Sequence, residues 1–281
     1  MSWRNDDTKY VREINEKLTQ LFVSYNKTLS STGILLGRLY SSIVFMQYPE
    51  FSGSIETLVK LYHTIENVKE EILKIKQQYE ILENEIEMII NSVKNTLKIE
   101  DVGNVFPIYS SLKSLMKIIK HMIDEAISVT ETVNNIDTLK RRVIMVNQLT
   151  TSDEISVYRL GLKLLREISD FRKFQKLVET LYYSLVSSSG LDDETKRQIA
   201  SDYIKTLRSS LEYINSTEKE VEKTTKIVET FILDIKGSRF EELLLSLVNE
   251  YKASFNSLIK TVRDTLNEVN RMGFDLGIVR N

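Results

Sequence analysis

One apolar stripe recurs with helical spacing through the second quarter of the chain. From Leu58 to Val93, apolar residues alternate at gaps of three and four without a slip over about five heptads. This period is typical of a long helix that buries a narrow seam against other helices. The residues of the seam are Leu58, Leu61, Ile65, Val68, Ile72, Ile75, Tyr79, Leu82, Ile86, Ile89 and Val93.

The same periodicity predicts six long helices. Most of them have about 35 to 45 residues, which corresponds to roughly 50 to 65 Å at the helical rise. Only 2 prolines and 9 glycines occur in the chain, so few points interrupt the helices. The first five predicted helices are 6–47, 54–97, 107–149, 151–186 and 192–236. The sixth begins at 238 and ends before a non-helical tail at 273–281.

The predicted helix ends carry recognisable signals. Pro49 disfavours helix in the residue before it, and Pro107 suits the first position of the third helix. Thr151 with Glu154 has the spacing of a capping box. Gly237 is expected to end the fifth helix in the left-handed conformation.

Short connections between long amphipathic helices favour antiparallel neighbours. We therefore predict an all-α fold, an elongated antiparallel bundle of about six long helices with coiled-coil-like packing. The alternative is a bend in a longer helix at junctions such as 150–153. Residues 1–281 are expected to form one elongated domain, with 187–192 as the candidate subdomain break.

Composition narrows the classes of function. The chain has 281 residues, 42% of them apolar, which is enough for a sizeable core. Its net charge of -2 does not indicate a nucleic-acid partner. The absence of cysteine excludes disulfides, thiol catalysis and zinc–thiolate sites.

No targeting or membrane-spanning segment is predicted. The first thirty residues contain several charges, unlike a secretory signal. The longest apolar stretch, 33–46, contains Arg38 and is too short and too polar to span a bilayer. By default we expect a cytoplasmic protein.

The sequence contains few of the residue types and motifs from which catalytic sites are built. Only His63 and His121 are present, and neither has the glutamate three residues earlier that a di-iron bundle requires, since those positions hold Lys60 and Ile118. No nucleophile elbow or phosphate-binding loop occurs. We predict no catalytic residues, no metal site and no cofactor.

Small residues line one face of the first helix. Gly33, Gly37 and Ser41 follow each other at four-residue intervals, and Phe45 continues the row. Such a face allows close approach of another backbone, which favours tight crossing inside the bundle. The second interpretation is a self-association face or a hinge, so these four residues are the candidate interaction site. The apolar run around Phe45 is either a core end or a surface for a partner or lipid.

A basic cluster is the other candidate site. Lys140, Arg141 and Arg142 are adjacent, on the predicted third helix. Acidic residues interleave with the neighbouring lysines and arginines, so a solvated mixed-charge face is the simpler interpretation. The alternative is a patch for an anionic surface, either nucleic acid or lipid headgroups.

These observations favour a non-enzymatic structural or scaffolding protein. It would act through helix-mediated self-assembly or binding of a protein partner. A membrane-active helical module, curvature-binding or pore-forming, is the alternative, with 33–46 as its inserting element. A nucleic-acid-organising protein is the third and least supported hypothesis.

Overall fold

The structure is a computed structural model that describes residues 5–51, 54–131, 133, 152–187 and 193–275. Over these residues the chain is helical and has no strand, which confirms the all-α prediction. A single 3₁₀ turn, Pro49–Phe51, follows the first helix. The helices are α1 (Asn5–Gln47), α2 (Ile55–Leu97), α3 (Val102–Val105), α4 (Pro107–Glu131), α5 (Ser152–Val186), α6 (Asp193–Asp234) and α7 (Glu241–Asp275).

Local chemistry explains several of these helix ends. The Ser54 hydroxyl accepts a hydrogen bond from the backbone N–H of Thr57 at 3.1 Å and caps α2. Lys98 follows α2 in the left-handed conformation with φ 53°. Gly237 has φ 79° after α6, as predicted for a glycine that ends a helix.

Two predicted helix ends either differ in the structure or lie outside its described residues. α7 continues through Asp275, so residues 273–275 are helical where we predicted a non-helical tail. The rest of that tail, 276–281, lies outside the described residues. The third long helix is described as far as Glu131, and its predicted continuation to 149 lies outside the described residues except for Val133, which is not helical.

Contacts between side chains establish how the helices run. Tyr10 contacts Ser92 and Arg38 contacts Glu71, so α2 is antiparallel to α1. The short connection through α3 then returns the chain alongside α2 as α4. Asn26 contacts Ser184 near the end of α5, whereas Ser41 contacts Ser169 near its middle, so α5 is also antiparallel to α1.

The last two helices pack on α5. Tyr203, near the start of α6, donates a hydrogen bond to the carbonyl oxygen of Val178, and Thr224 near its end contacts Lys163, so α6 is antiparallel to α5. α7 is parallel to α5. Arg239, just before α7, pairs with Glu154 near the start of α5, and Glu250 of α7 pairs with Arg172 farther along α5.

The buried side chains form two hydrophobic clusters. The first joins α1, α2, α3 and α4 and contains most of the seam from Leu58 to Val93. The second joins α5, α6 and α7 with Val44 at the end of α1 and Phe51 in the 3₁₀ turn that follows it. Tyr183 of α5 also packs against the first cluster. The packing of α1 against α5 therefore holds the two groups of helices together. The candidate subdomain break at 187–192 stays a prediction.

Candidate functional site

The small residues of α1 lie against α5. Gly33 faces Thr180 so closely that a Cβ on this glycine would collide with the threonine side chain. A Cβ on Gly37 would be 3.7 Å from the Cα of Lys173, an ordinary van der Waals distance. The small face predicted from the sequence therefore has a partner within the same chain.

The remaining residues of this face continue the junction. The Ser41 and Ser169 hydroxyl groups share a hydrogen bond. Phe45 is half-buried against the second cluster, and its neighbours Val44 and Met46 are buried. The apolar run at the end of α1 thus packs inside the molecule, while an interaction of this face with another chain stays a prediction.

A polar cluster lies on the α4 side of the same junction. Lys176 of α5 forms ion pairs with Glu125 of α4 at 3.4 Å and with Glu179 at 3.0 Å. The three side chains are only 21%, 24% and 24% exposed. Tyr40 of α1 donates a hydrogen bond to Glu125, and the Lys176 ammonium lies 5.2 Å from the centre of the Tyr40 ring. One cluster thus connects three helices.

The protonation of this cluster follows from its surroundings. Burial raises the pKa of Tyr40 to about 12, and the hydrogen bond and charge of Glu125 act in the same direction. Burial by itself lowers the pKa of Lys176, but Glu179 and Glu125 outweigh it, so that the pKa is raised above its usual value. At neutral pH the lysine is therefore charged and the tyrosine is neutral.

The cluster borders a cleft of about 440 Å³ between α4 and α5. His121 and Lys117 lie on its wall, and His121 is exposed, as is His63 elsewhere on the surface. Lys176, which also lines the cleft, is already paired with two carboxylates. Across the described part of the chain, no group of three or more His, Asp or Glu residues could hold a metal ion.

An apolar groove lies on the opposite side of the junction, with a volume of about 300 Å³. Ile34 of α1 and Leu177 of α5 are its exposed walls, and the two glycines of α1 leave its floor open. Arg38 and Lys173 border it, but each has an acidic neighbour, Glu71 at 3.7 Å and Asp170 at 3.5 Å. These pairs neutralise the charge at the rim of the groove.

A third surface lies on α2, on the side away from the core. We call it the outer stripe. Its apolar members are exposed, Leu73 by 44%, Ile81 by 65% and Met88 by 66%. Two exposed amides, Gln77 and Asn84, lie between them at helical spacing. The sequence periodicity of α2 drew attention to the buried seam and not to this second, thinner stripe.

The second predicted site is the basic cluster. Lys140, Arg141 and Arg142 lie outside the described residues. The basic residues that accompany them on α4 and α5 are exposed, as expected for a solvated mixed-charge face; these are Lys113, Lys117, Lys120, Arg159, Lys163 and Arg166.

One described helix, α1, is long and apolar enough to cross a membrane over Thr8–Gln47, by length and composition alone. This differs from the sequence prediction, which considered only the shorter stretch 33–46. The most apolar window has a mean hydropathy of 1.3, and 61% of it is buried inside the bundle. A core helix meets the same criterion, so the finding is weak evidence for a membrane role.

Comparison with known proteins identifies no relative. No family model matches the chain, and no curated protein or solved structure matches it at a significant level. The function is therefore argued from the surfaces described above.

Sequence reasoning also missed the polar cluster. The i,i+3 spacing of Lys176 and Glu179 is visible in the sequence, but it is common on solvated helix faces. Glu125 and Tyr40 are far away along the chain. Only the packing of three helices brings them to the same lysine.

Proposed function

We propose that this protein is a non-enzymatic structural or scaffolding protein that acts through helix-mediated self-assembly or binding of a protein partner. The outer stripe of α2 is the observation that carries this proposal. Leu73, Ile81 and Met88 are the exposed large apolar residues of this helix. They span 16 residues, or about 22 Å along the helix.

The spacing of the outer stripe resembles that of a helix-pairing seam. From Leu73 to Met88 its residues follow gaps of 4, 4, 3 and 4. Apolar and amide residues alternate in it, and a polar residue within a seam reduces stability while it specifies register and partner. A face of this kind is suited to selective, reversible association with another helix.

Cross-linking in the native source tests the proposal. A photo-reactive group within the outer stripe, at Gln77, should capture a protein chain, either a second copy or another protein. Ile81→Lys should abolish this capture because it places a charge at the centre of the stripe. Leu233→Lys is the matched control, since Leu233 is 72% exposed on α6. Capture of no chain, or equal capture with both variants, would contradict the proposal.

A membrane-active role is the second candidate, supported by the apolar length of α1. Because most of the apolar window of that helix is buried, insertion would require α1 to leave both hydrophobic clusters. Co-sedimentation with anionic liposomes tests this candidate. Its absence at low salt would exclude the membrane role.

A further inference from the structure

The two apolar ends and the two amides of the outer stripe are placed symmetrically about its middle, whereas the counterpart of Ile81 is Glu80 and not a second apolar residue. Its centre lies between Glu80 and Ile81. Leu73 and Met88 are equally far from this centre, and so are Gln77 and Asn84. If two copies of α2 lay antiparallel about this point, each apolar end would meet an apolar end and each amide would meet an amide.

The charges beside the stripe follow the same symmetry. At 100° per residue, Lys74 and Glu85 lie on one flank of the stripe, and Lys76 and Glu87 lie on the other. All four side chains are exposed. Along the outer stripe, each flank therefore has a lysine toward the N-terminal side of the centre and a glutamate toward the C-terminal side.

We propose that α2 pairs with α2 of a second copy of this chain, antiparallel, about a two-fold axis near Ile81. This inference rests on the proposed function and names its partner. In this arrangement Lys74 lies beside Glu85 of the second copy, and Lys76 lies beside Glu87. The two-fold axis repeats both contacts, giving four pairs of opposite charge around the apolar and amide contacts.

The opposite orientation is disfavoured by the same residues. In a parallel pair at equal register, opposite flanks meet, so Lys74 would face Lys76 of the second copy and Glu85 would face Glu87. Like charges along both flanks destabilise that arrangement. The charge pattern therefore selects direction as well as partner.

One residue opposes the proposed pairing. Glu80 lies next to the two-fold axis, so the two copies bring their Glu80 side chains toward each other. Glu80→Gln removes this repulsion. It should tighten the dimer severalfold, whereas a pairing centred elsewhere would not respond.

Sedimentation equilibrium of the full chain tests the charges. The wild type should dimerise with concentration, more tightly at low salt than at high salt. Two double variants are compared. The first carries Lys74→Glu and Lys76→Glu, so that all four flank positions are acidic. The second carries Glu85→Lys and Glu87→Lys, so that all four are basic. Each double variant alone should dimerise at least about tenfold more weakly, because all four pairs become repulsive.

An equimolar mixture of the two double variants is the decisive sample. It should form a heterodimer at least as tight as the wild-type dimer, because every acidic flank then meets a basic flank. Lys219→Glu with Lys223→Glu on α6 is the matched control and should leave dimerisation unchanged. Circular dichroism confirms that each variant keeps its helices.

Cross-linking through introduced cysteines tests direction, and the chain offers a clean background because it has no cysteine. A mixture of Gln77→Cys and Asn84→Cys should form a disulfide between the two variants under mild oxidation. In the antiparallel pair, Gln77→Cys alone should form far less disulfide with itself. Preferential self-linking of Gln77→Cys would indicate a parallel pair and overturn the inference.

Different results contradict the antiparallel α2 pair and the proposed function. A wild-type chain that stays monomeric, or a dimer that ignores both charge variants, overturns the antiparallel α2 pair. The proposed function survives either result if the outer stripe still captures another protein in the native source. It fails if nothing is captured there.

Discussion

The backbone of α1 at Gly33 contacts the side chain of Thr180 on α5, with no space for a methyl group between them. The hydroxyl of Thr180 is held by a 2.7 Å hydrogen bond to the carbonyl oxygen of Lys176. This contact lies at the junction between the two groups of helices. It links the approach of α1 and α5 to the polar cluster one turn away.

Alanine substitutions at the two glycines of α1 should have opposite effects. Gly33→Ala should lower the free energy of unfolding by about 1–3 kcal/mol, because the new methyl group must displace Thr180. Gly37→Ala has room for its methyl group and should be neutral or stabilising by up to about 1 kcal/mol, since alanine favours helix more than glycine does. Urea unfolding of the two variants measures the difference. Equal effects would contradict the close contact between Gly33 and Thr180.

Loss of Lys176 should be costly because it leaves two carboxylates facing each other. We expect Lys176→Met to lower the free energy of unfolding by about 1–3 kcal/mol, less than for a fully buried ion pair. Lys205→Met is the control, because the Lys205–Asp202 pair is exposed. That change should stay within about 0.5 kcal/mol of the wild type in the same unfolding experiment.

Stability should fall at alkaline pH in part through Tyr40. An ordinary tyrosine ionises near pH 10, whereas burial and Glu125 raise the pKa of Tyr40 to about 12. Between these values the unfolded chain loses a proton that the folded chain keeps, so the stabilisation present below about pH 10 decreases as the pH rises. Tyr40→Phe should make this decrease shallower.

The measurement is urea unfolding at about pH 9 and about pH 11, on either side of the ordinary tyrosine pKa. Tyr213→Phe serves as the control because its ring is 46% exposed on α6. Other buried tyrosines contribute to the same fall, so Tyr40→Phe should reduce it and not abolish it. An unchanged pH dependence would argue against the Tyr40–Glu125 hydrogen bond.

Two buried tyrosines should respond differently to loss of the hydroxyl group. The Tyr25 hydroxyl is buried and has no hydrogen-bond partner among the described residues, so Tyr25→Phe should be neutral or stabilising. Tyr203 donates to the carbonyl oxygen of Val178 at 2.6 Å, and Tyr203→Phe should cost about 0.5–1.5 kcal/mol. Thermal unfolding ranks the two variants, and a reversed order would contradict this assignment.

The sequence by itself determined the helices. Each apolar seam, and each signal such as Pro49, Pro107 or Gly237, acts within one or two turns, so local spacing was enough to predict six long helices and most of their ends. The end of α7 was misplaced because Gly273 weakens a helix but does not have to end it.

Only the tertiary structure decided which helix faces meet. Tyr40 and Glu125 are 85 positions apart, and Ser41 and Ser169 are 128 apart. An amphipathic helix specifies that one face is buried but leaves open which neighbour covers it, because apolar burial has no direction of its own. The core therefore followed from periodicity, whereas the α1–α5 junction and the exposed face of α2 became visible only after the helices were packed.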